Sequence, residues 1–344
     1  MEVGFAVGEG PPSLPSEVWD EIAQLVAADA LVELSGVSKE FRHRYWGVRS
    51  QDALDAALQA ADVPAIVVTR DGLTVTTAPV SRAHVYAMAD VHVAAGFVHL
   101  RGGFHVIASG TASVRAQGEA QVTASGSASV LAADRANIMA SGTAKVHALH
   151  HAHVTASGRA EVHATHQARV AACEEAFVTA TDQVQVVASG SAGVHALNKA
   201  YVTACDSAEV STAHDVQACV YDRVHVHARG NGTVHADDCA TVVAHEDVRV
   251  TATGRATVHA HGEVRVRACA EAHVDAGGSS RVAAADTTTV TSDSAHSRIW
   301  ATEQVTVETG DDNALRVTSD QIHADWGELE NLWRIRHPGS CALM

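Results

Sequence analysis

Apolar and polar residues alternate along most of this chain. From Val98 to Ser297 the alternation is grouped in eights, as Val-x-Ala-x-(Gly/Asp)-x-Ala-x. Val122–Ser129 (VTASGSAS) and Val154–Glu161 (VTASGRAE) are clean copies, and the 200 residues hold 25 octads. Val, Ala and Ala fill the odd positions, while Thr, Ser, His, Arg, Glu and Gln fill the even ones. A period of two is the signature of a strand with one buried face. Gly or Asp at the fifth position supplies a corner, because Gly accepts positive φ and Asp bonds its own local backbone. Each octad therefore predicts a short strand and a turn. Such self-similarity at a fixed short spacing predicts a solenoid. The i, i+3, i+4, i+7 spacing of a helix is absent from the octad.

A longer period runs through the shorter one. His follows the repeat Val at 147, 163, 195, 227 and 259, and Thr follows it at 123, 155, 203 and 251. Both sets are spaced in multiples of sixteen and offset from each other by eight, so the unit is sixteen residues with two unlike faces. The expected fold is mainly β: a two-sided parallel β-solenoid of two octads per coil, preceded by a small N-terminal three-helix module. Twelve and a half coils would give a rod of roughly 60 Å. Upstream, Ala65–Thr76 reads as a hairpin around Asp71-Gly72, followed by shorter, irregular units at Val85 and Val91. Downstream, Ile299–Val307 and Leu315–Val317 read as decaying strands, and Trp326–Ile335 as an amphipathic cap. The predicted divisions are a flexible leader (1–12), a helical module (13–61), an N-terminal cap (62–97), the octad solenoid (98–297), a C-terminal cap (298–337) and a flexible tail (338–344).

Composition narrows the choice of partner. The net charge is −16 and aromatics make up 4%, a balance that disfavours nucleic acid and anionic lipid. No apolar run is long enough to span a bilayer, and the first residues lack the basic and apolar regions of a secretory signal. A cytosolic location is expected. Cys173, Cys205 and Cys269 share one octad position, spaced 32 and 64 residues apart, hence two and four coils. That separation exceeds the reach of a disulfide, so small, reduced, half-buried thiols are expected.

Residues 13–61 break the octad and carry apolar residues at helical spacing: Val18, Ile22, Leu25 and Val26, then Leu31, Leu34, Val37 and Phe41. Ser13 suits an N-cap and Pro15 an early first-turn position, with Glu17 near the positive dipole end. A further Ala-rich helix is expected from Gln51 to Ala61. Within 13–46, Leu14-Pro15-Ser16-Glu17-Val18 and Val37-Ser38-Lys39-Glu40-Phe41-Arg42 stand at the two ends of the helical stretch. This segment resembles an F-box. It departs from the family pattern at Val26-Ala27-Ala28-Asp29-Ala30, where a more polar loop is usual. The resemblance implies a helical trio that binds the Skp-type adaptor of a cullin-RING ubiquitin ligase, with the rest of the chain presenting an unknown protein substrate. It further implies that Leu14, Pro15, Ile22, Leu25, Leu31, Val37 and Phe41 divide between the core of the module and its adaptor surface. The rival reading is a structural or surface-binding solenoid whose helical head is only a cap.

The chain ends Cys341-Ala342-Leu343-Met344, which fits a prenylation box with Cys341 as acceptor and a terminal Met that favours farnesyl. One prenyl chain holds weakly, so membrane contact is expected only through this modification. An F-box-like head and a prenylation-type tail together point to the cytoplasm of a eukaryotic cell, whether the protein is native to it or delivered there by a virus or bacterium. No cofactor is expected. No metal is expected either, although His147, His150, His151 and His153, four His within seven residues, form the one spot where an adventitious ion would find ligands. The Thr-x-Ser rows, such as Thr123/Ser125 and Thr155/Ser157, resemble those of flat ice-binding solenoids, but Met139, Ala171, Val187, Cys219 and Arg267 interrupt them. No nucleophile–base pair, phosphate-cradling Gly loop or paired carboxylate stands out, and the chain reads as non-enzymatic.

Overall fold

The structure is a computed structural model. It describes residues 45–60, 65–68, 70–76, 84–87, 89–294, 296–302, 304–309 and 315–317. The helices expected over 13–44, the cap at Trp326–Ile335 and the tail carrying Cys341 lie outside the described residues.

The described chain is a mainly β parallel solenoid with two sheets, of 17 and 16 strands. Strands alternate between the sheets along the sequence, and each pairs in parallel with the strand one coil later in its own sheet. Val130 pairs with Val146 and Val146 with Val162 in one sheet, while Val122 pairs with Ile138 and Ile138 with Val154 in the other. The step is sixteen residues, so the coil is two-sided. Seventeen strands stacked at the usual spacing make a rod of about 75 Å, longer than the octad region alone implies.

The interior is a single layer of Val and Ala from facing octads, nearly all with no exposure to solvent. Burying each Val stabilises by roughly 1.5–3 kcal/mol, and the repeated small Ala lets the sheets lie close together. Between strands, every fifth octad position from Gly102 to Asp286 has positive φ, without a gap. Gly and Asp are joined in that role by Asn198, His150, His166, His214, Glu174, Glu246 and Ala270. The corner geometry is thus imposed by the coil even where the residue disfavours it.

The regular step has limits at both ends. Strand β1 (Tyr45–Val48) pairs with β2 (Ala65–Val68), and β2 with β4 (His84–Ala87), through coils of 20 and 19 residues. The expected hairpin at 65–76 does not form. Strand β3 (Leu73–Val75) belongs to the opposite sheet and pairs with Val91–Val93, so Asp71-Gly72 turns a solenoid corner, with Gly72 at φ 77. A hairpin would place both strands in one sheet and leave the other sheet without its first strand. At the far end the octad gains one residue. Val282 pairs with Ile299 and Val290 with Val307, steps of seventeen. The extra residue lies between Ser292 and Ser297, where Ser292 Oγ bonds Ser297 Oγ at 2.5 Å and donates to Ala276 O at 2.8 Å.

One helix occurs among the described residues, α1 (Gln51–Gln59), two residues shorter than expected and capped by Ser50, whose Oγ accepts from the Ala53 amide. It takes the place of a strand in the first coil and buries Leu54, Ala57 and Leu58 against β1, β2 and β3. Gln51 closes the sheet edge. Its amide nitrogen donates to Thr74 O and its amide oxygen accepts from Thr74 N, both at 2.9 Å. The side chain supplies the pair of hydrogen bonds that a neighbouring strand would otherwise make with β3.

Candidate interaction surface

Each coil turns outward the residues on either side of its Val. Stacking repeats these positions along the rod, so chemistry accumulates in rows. On the 17-strand sheet, Lys145 Nζ lies 2.9 Å from Glu161 Oε2, and Glu161 Oε1 lies 3.1 Å from His163 Nε2. The His163 ring stacks on His147 of the preceding coil, with centroids 5.1 Å apart and planes 14° apart. Glu161 is held below the usual carboxylate range, first by the hydrogen bond from Lys145 and then by that from His163. Further along, His195, His227 and His259 are separated in their row by Ser211 and Val243, as the sixteen-residue period predicts. His259 instead meets Asp275 at 3.3 Å. His245 and His261 form a second stacked pair at 5.2 Å. The His245 imidazole is pushed below its ordinary value, chiefly by burial and next by the His261 charge.

The four clustered His residues are spread around the coil. His147 projects from the 17-strand sheet and His153 from the opposite one, while His150 and His151 occupy the corner between. His150 has positive φ, and its ring lies 5.3 Å from that of His166. The arrangement brings His147 to His163 and His150 to His166. Among the described residues, three donors fall within reach of one ion only at Cys205, Asp206 and Asp222. There the Cys205 thiol is pushed up by burial and then by the two aspartates, which favours the protonated form over a metal-binding thiolate.

Cys173, Cys205 and Cys269 are thiols, half-buried as expected. They share a position with Ser125, Ser141, Ser157 and Thr253, and each of the seven side chains donates to the Ala carbonyl of the coil beneath, seventeen residues back. The Thr-x-Ser row thus does structural duty at its Ser position. A second ladder links the corners: the Gly118, Gly158, Gly190 and Ala270 amides donate to the carboxylates of Asp134, Glu174, Asp206 and Asp286 one coil later. Asp at this position thus serves the next coil as well as its own turn, a bond legible in the sixteen-residue spacing of Gly118 with Asp134 and Gly190 with Asp206.

Two further features are not evident from composition. A shallow open groove follows one corner past His166, Asp182, Asn198 and His214. On the 16-strand sheet, Arg249, Arg265, Arg281 and Arg298 stand in consecutive register, exposed. The last is displaced by the inserted residue, which hides it from a strict sixteen-residue count. Large apolar side chains are exposed on both faces, including Leu131 and Phe177 on one and Met139 and Tyr201 on the other. Rows of this kind are equipped for non-covalent recognition of an extended surface. The adaptor residues expected from Leu14 to Phe41, and Cys341, lie outside the described residues. No helix among the described residues is long and apolar enough to cross a membrane. In comparisons with known proteins, no family model, no curated protein and no solved structure matches the chain.

Proposed function

We propose that the protein is a substrate-recruiting subunit of a cullin-RING ubiquitin ligase, with an F-box-like three-helix head and a solenoid that serves as the recognition surface. The observation that carries this reading is the pair of motifs Leu14-Pro15-x-Glu17-Val18 and Val37-Ser38-Lys39-x-Phe41-Arg42. The second ends three residues before Tyr45, where the parallel ladder begins. A short helical head joined directly to a long rod suits a protein that holds an adaptor at one end and offers an array of side chains along its length. In this reading the partners are a Skp-type adaptor and a protein substrate, the site is the eukaryotic cytoplasm, and Cys341 carries a farnesyl group as a supplementary membrane tether.

The rival reading, a non-enzymatic structural or surface-binding solenoid whose helical head is only a cap, draws support from α1, which closes the sheet edge through Gln51. A pull-down of the full chain with a purified Skp-type adaptor decides between them. Capture that is abolished by Leu14→Ala with Pro15→Ala is expected. Failure of the wild type to bind, or undiminished binding by the double variant, overturns the recruiting role. Intact mass from eukaryotic cells tests the tail, and an unmodified Cys341 at full occupancy removes the tether.

A further inference from the structure

The arginine row on the 16-strand sheet is unusual for this chain. Arg249 pairs in register with Arg265, Arg265 with Arg281, and Arg281 with Arg298. Four consecutive coils therefore place a guanidinium at the same outward position, in a protein with 24 Lys and Arg against 40 Asp and Glu. Among the described residues only Arg265 of the four has an ion-pair partner, Asp247 at 3.4 Å. Arg267 widens the row on the same face. Adjacent coils are about 4.8 Å apart, and like charges directly opposite across a ladder are destabilising. An anion laid along the row would meet a guanidinium at each coil step.

We propose that this ladder docks an extended acidic polypeptide segment lying along the rod axis. The inference rests on the solenoid being the recruiting surface and is independent of what the helical head binds. The four arginines span about 14 Å, the length of four to five extended residues. Carboxylates match the guanidinium fork bidentately. The row is one strand position wide and borders acidic corner residues, Asp247 and Glu263; the broad phosphate front of a nucleic acid duplex would overlie those carboxylates, whereas a single extended peptide stays over the arginines. Single-stranded nucleic acid calls for a series of stacking aromatics, whereas the adjacent row is Thr251, Arg267, Ala283 and Trp300.

Fluorescence anisotropy with the full chain and a labelled oligoglutamate peptide tests the proposal at low salt, with oligoglutamine as control. Binding to oligoglutamate alone is expected, weakening as salt rises. Arg281→Gln combined with Arg298→Gln should weaken it at least about tenfold. Arg169→Gln lies in the same row but between His153 and Gln185, and it should leave binding unchanged. Thermal melts show that each variant is folded. No binding, equal binding to oligoglutamine, or an equal loss in Arg169→Gln overturns the proposal, as does tighter binding of charge-matched single-stranded DNA or sulfated oligosaccharide. Adaptor capture is scored separately on the same proteins: its failure counts against the helical-head reading and leaves the peptide result standing.

Discussion

At the scale of the residue, the solenoid interior is strict enough that single departures stand out. Ser280 occupies an octad position that is Ala in most octads, is fully buried, and has no hydrogen-bond partner for its Oγ among the described residues. A buried hydroxyl left unsatisfied costs about 1–3 kcal/mol, and Ala fits the same site elsewhere. Ser280→Ala is therefore expected to stabilise by about 1 kcal/mol, measured as a higher urea midpoint with unchanged slope. Thr288, at the same octad position eight residues on, donates to Ala285 O at 2.6 Å, so Thr288→Ala should give no comparable gain. Histidine provides the pH response. Burial pushes the His235 imidazole below its ordinary value of 6.5, and the same holds for His245. A folded-state value below the unfolded one means that the unfolded chain binds protons first. Stability should hold above about pH 6.5 and fall as pH drops from there towards the folded values. Melting temperatures between pH 7.5 and 5 should decline, and His235→Gln should reduce that decline.

At the scale of the element, the ends of the rod carry the risk, because an open sheet edge recruits other chains. Gln51 provides the cover at β3, so Gln51→Ala should open the Thr74 amide and carbonyl to water and to other chains and cost about 0.5–1.5 kcal/mol per hydrogen bond lost. Light scattering should report self-association in this variant at concentrations where the wild type stays dispersed. Gln51→Glu keeps the acceptor and loses the donor, and should be no better. The element scale also shows what the sequence made legible. The sixteen-residue coil, the Val and Ala layer and the corner positions followed from period and turn chemistry, because one local rule repeats in every octad. The hairpin expected at Asp71-Gly72 failed because turn residues cannot distinguish a reversal within a sheet from a corner between two sheets; the pairing of Leu73 with Val91 decides that. The Gln51 cap was invisible because it joins side chain to backbone across 23 residues outside any repeat. Three members of the arginine row, Arg249, Arg265 and Arg281, are legible at sixteen-residue spacing, whereas the residue inserted before Ser297 shifts Arg298 out of that count.

At the scale of the whole molecule, each coil contacts only its neighbours, so stability is close to a sum of coil and interface terms. The two octads share their interior residues and corner geometry but differ outside, and length and phase can therefore be altered independently. Deleting His153–Ala168 removes one full coil and joins Ala152 to Arg169 in register. The shortened chain should fold, keep its β-type circular dichroism, and lose about 5 Å of length by small-angle scattering. A deletion of twelve residues, 153–164, keeps the apolar alternation but brings strand residues to corner positions and corner residues into strands. Positive φ would then fall on side chains with no compensating ladder, and that chain should lose the cooperative unfolding transition. A deletion of eight, 153–160, preserves the interior but moves every downstream outward row to the opposite sheet. It should fold while carrying the arginine row on the other face from the Gln51-capped edge. Binding to the oligoglutamate peptide would survive this transfer if the row alone suffices as the docking element, since the same four arginines would remain one coil apart.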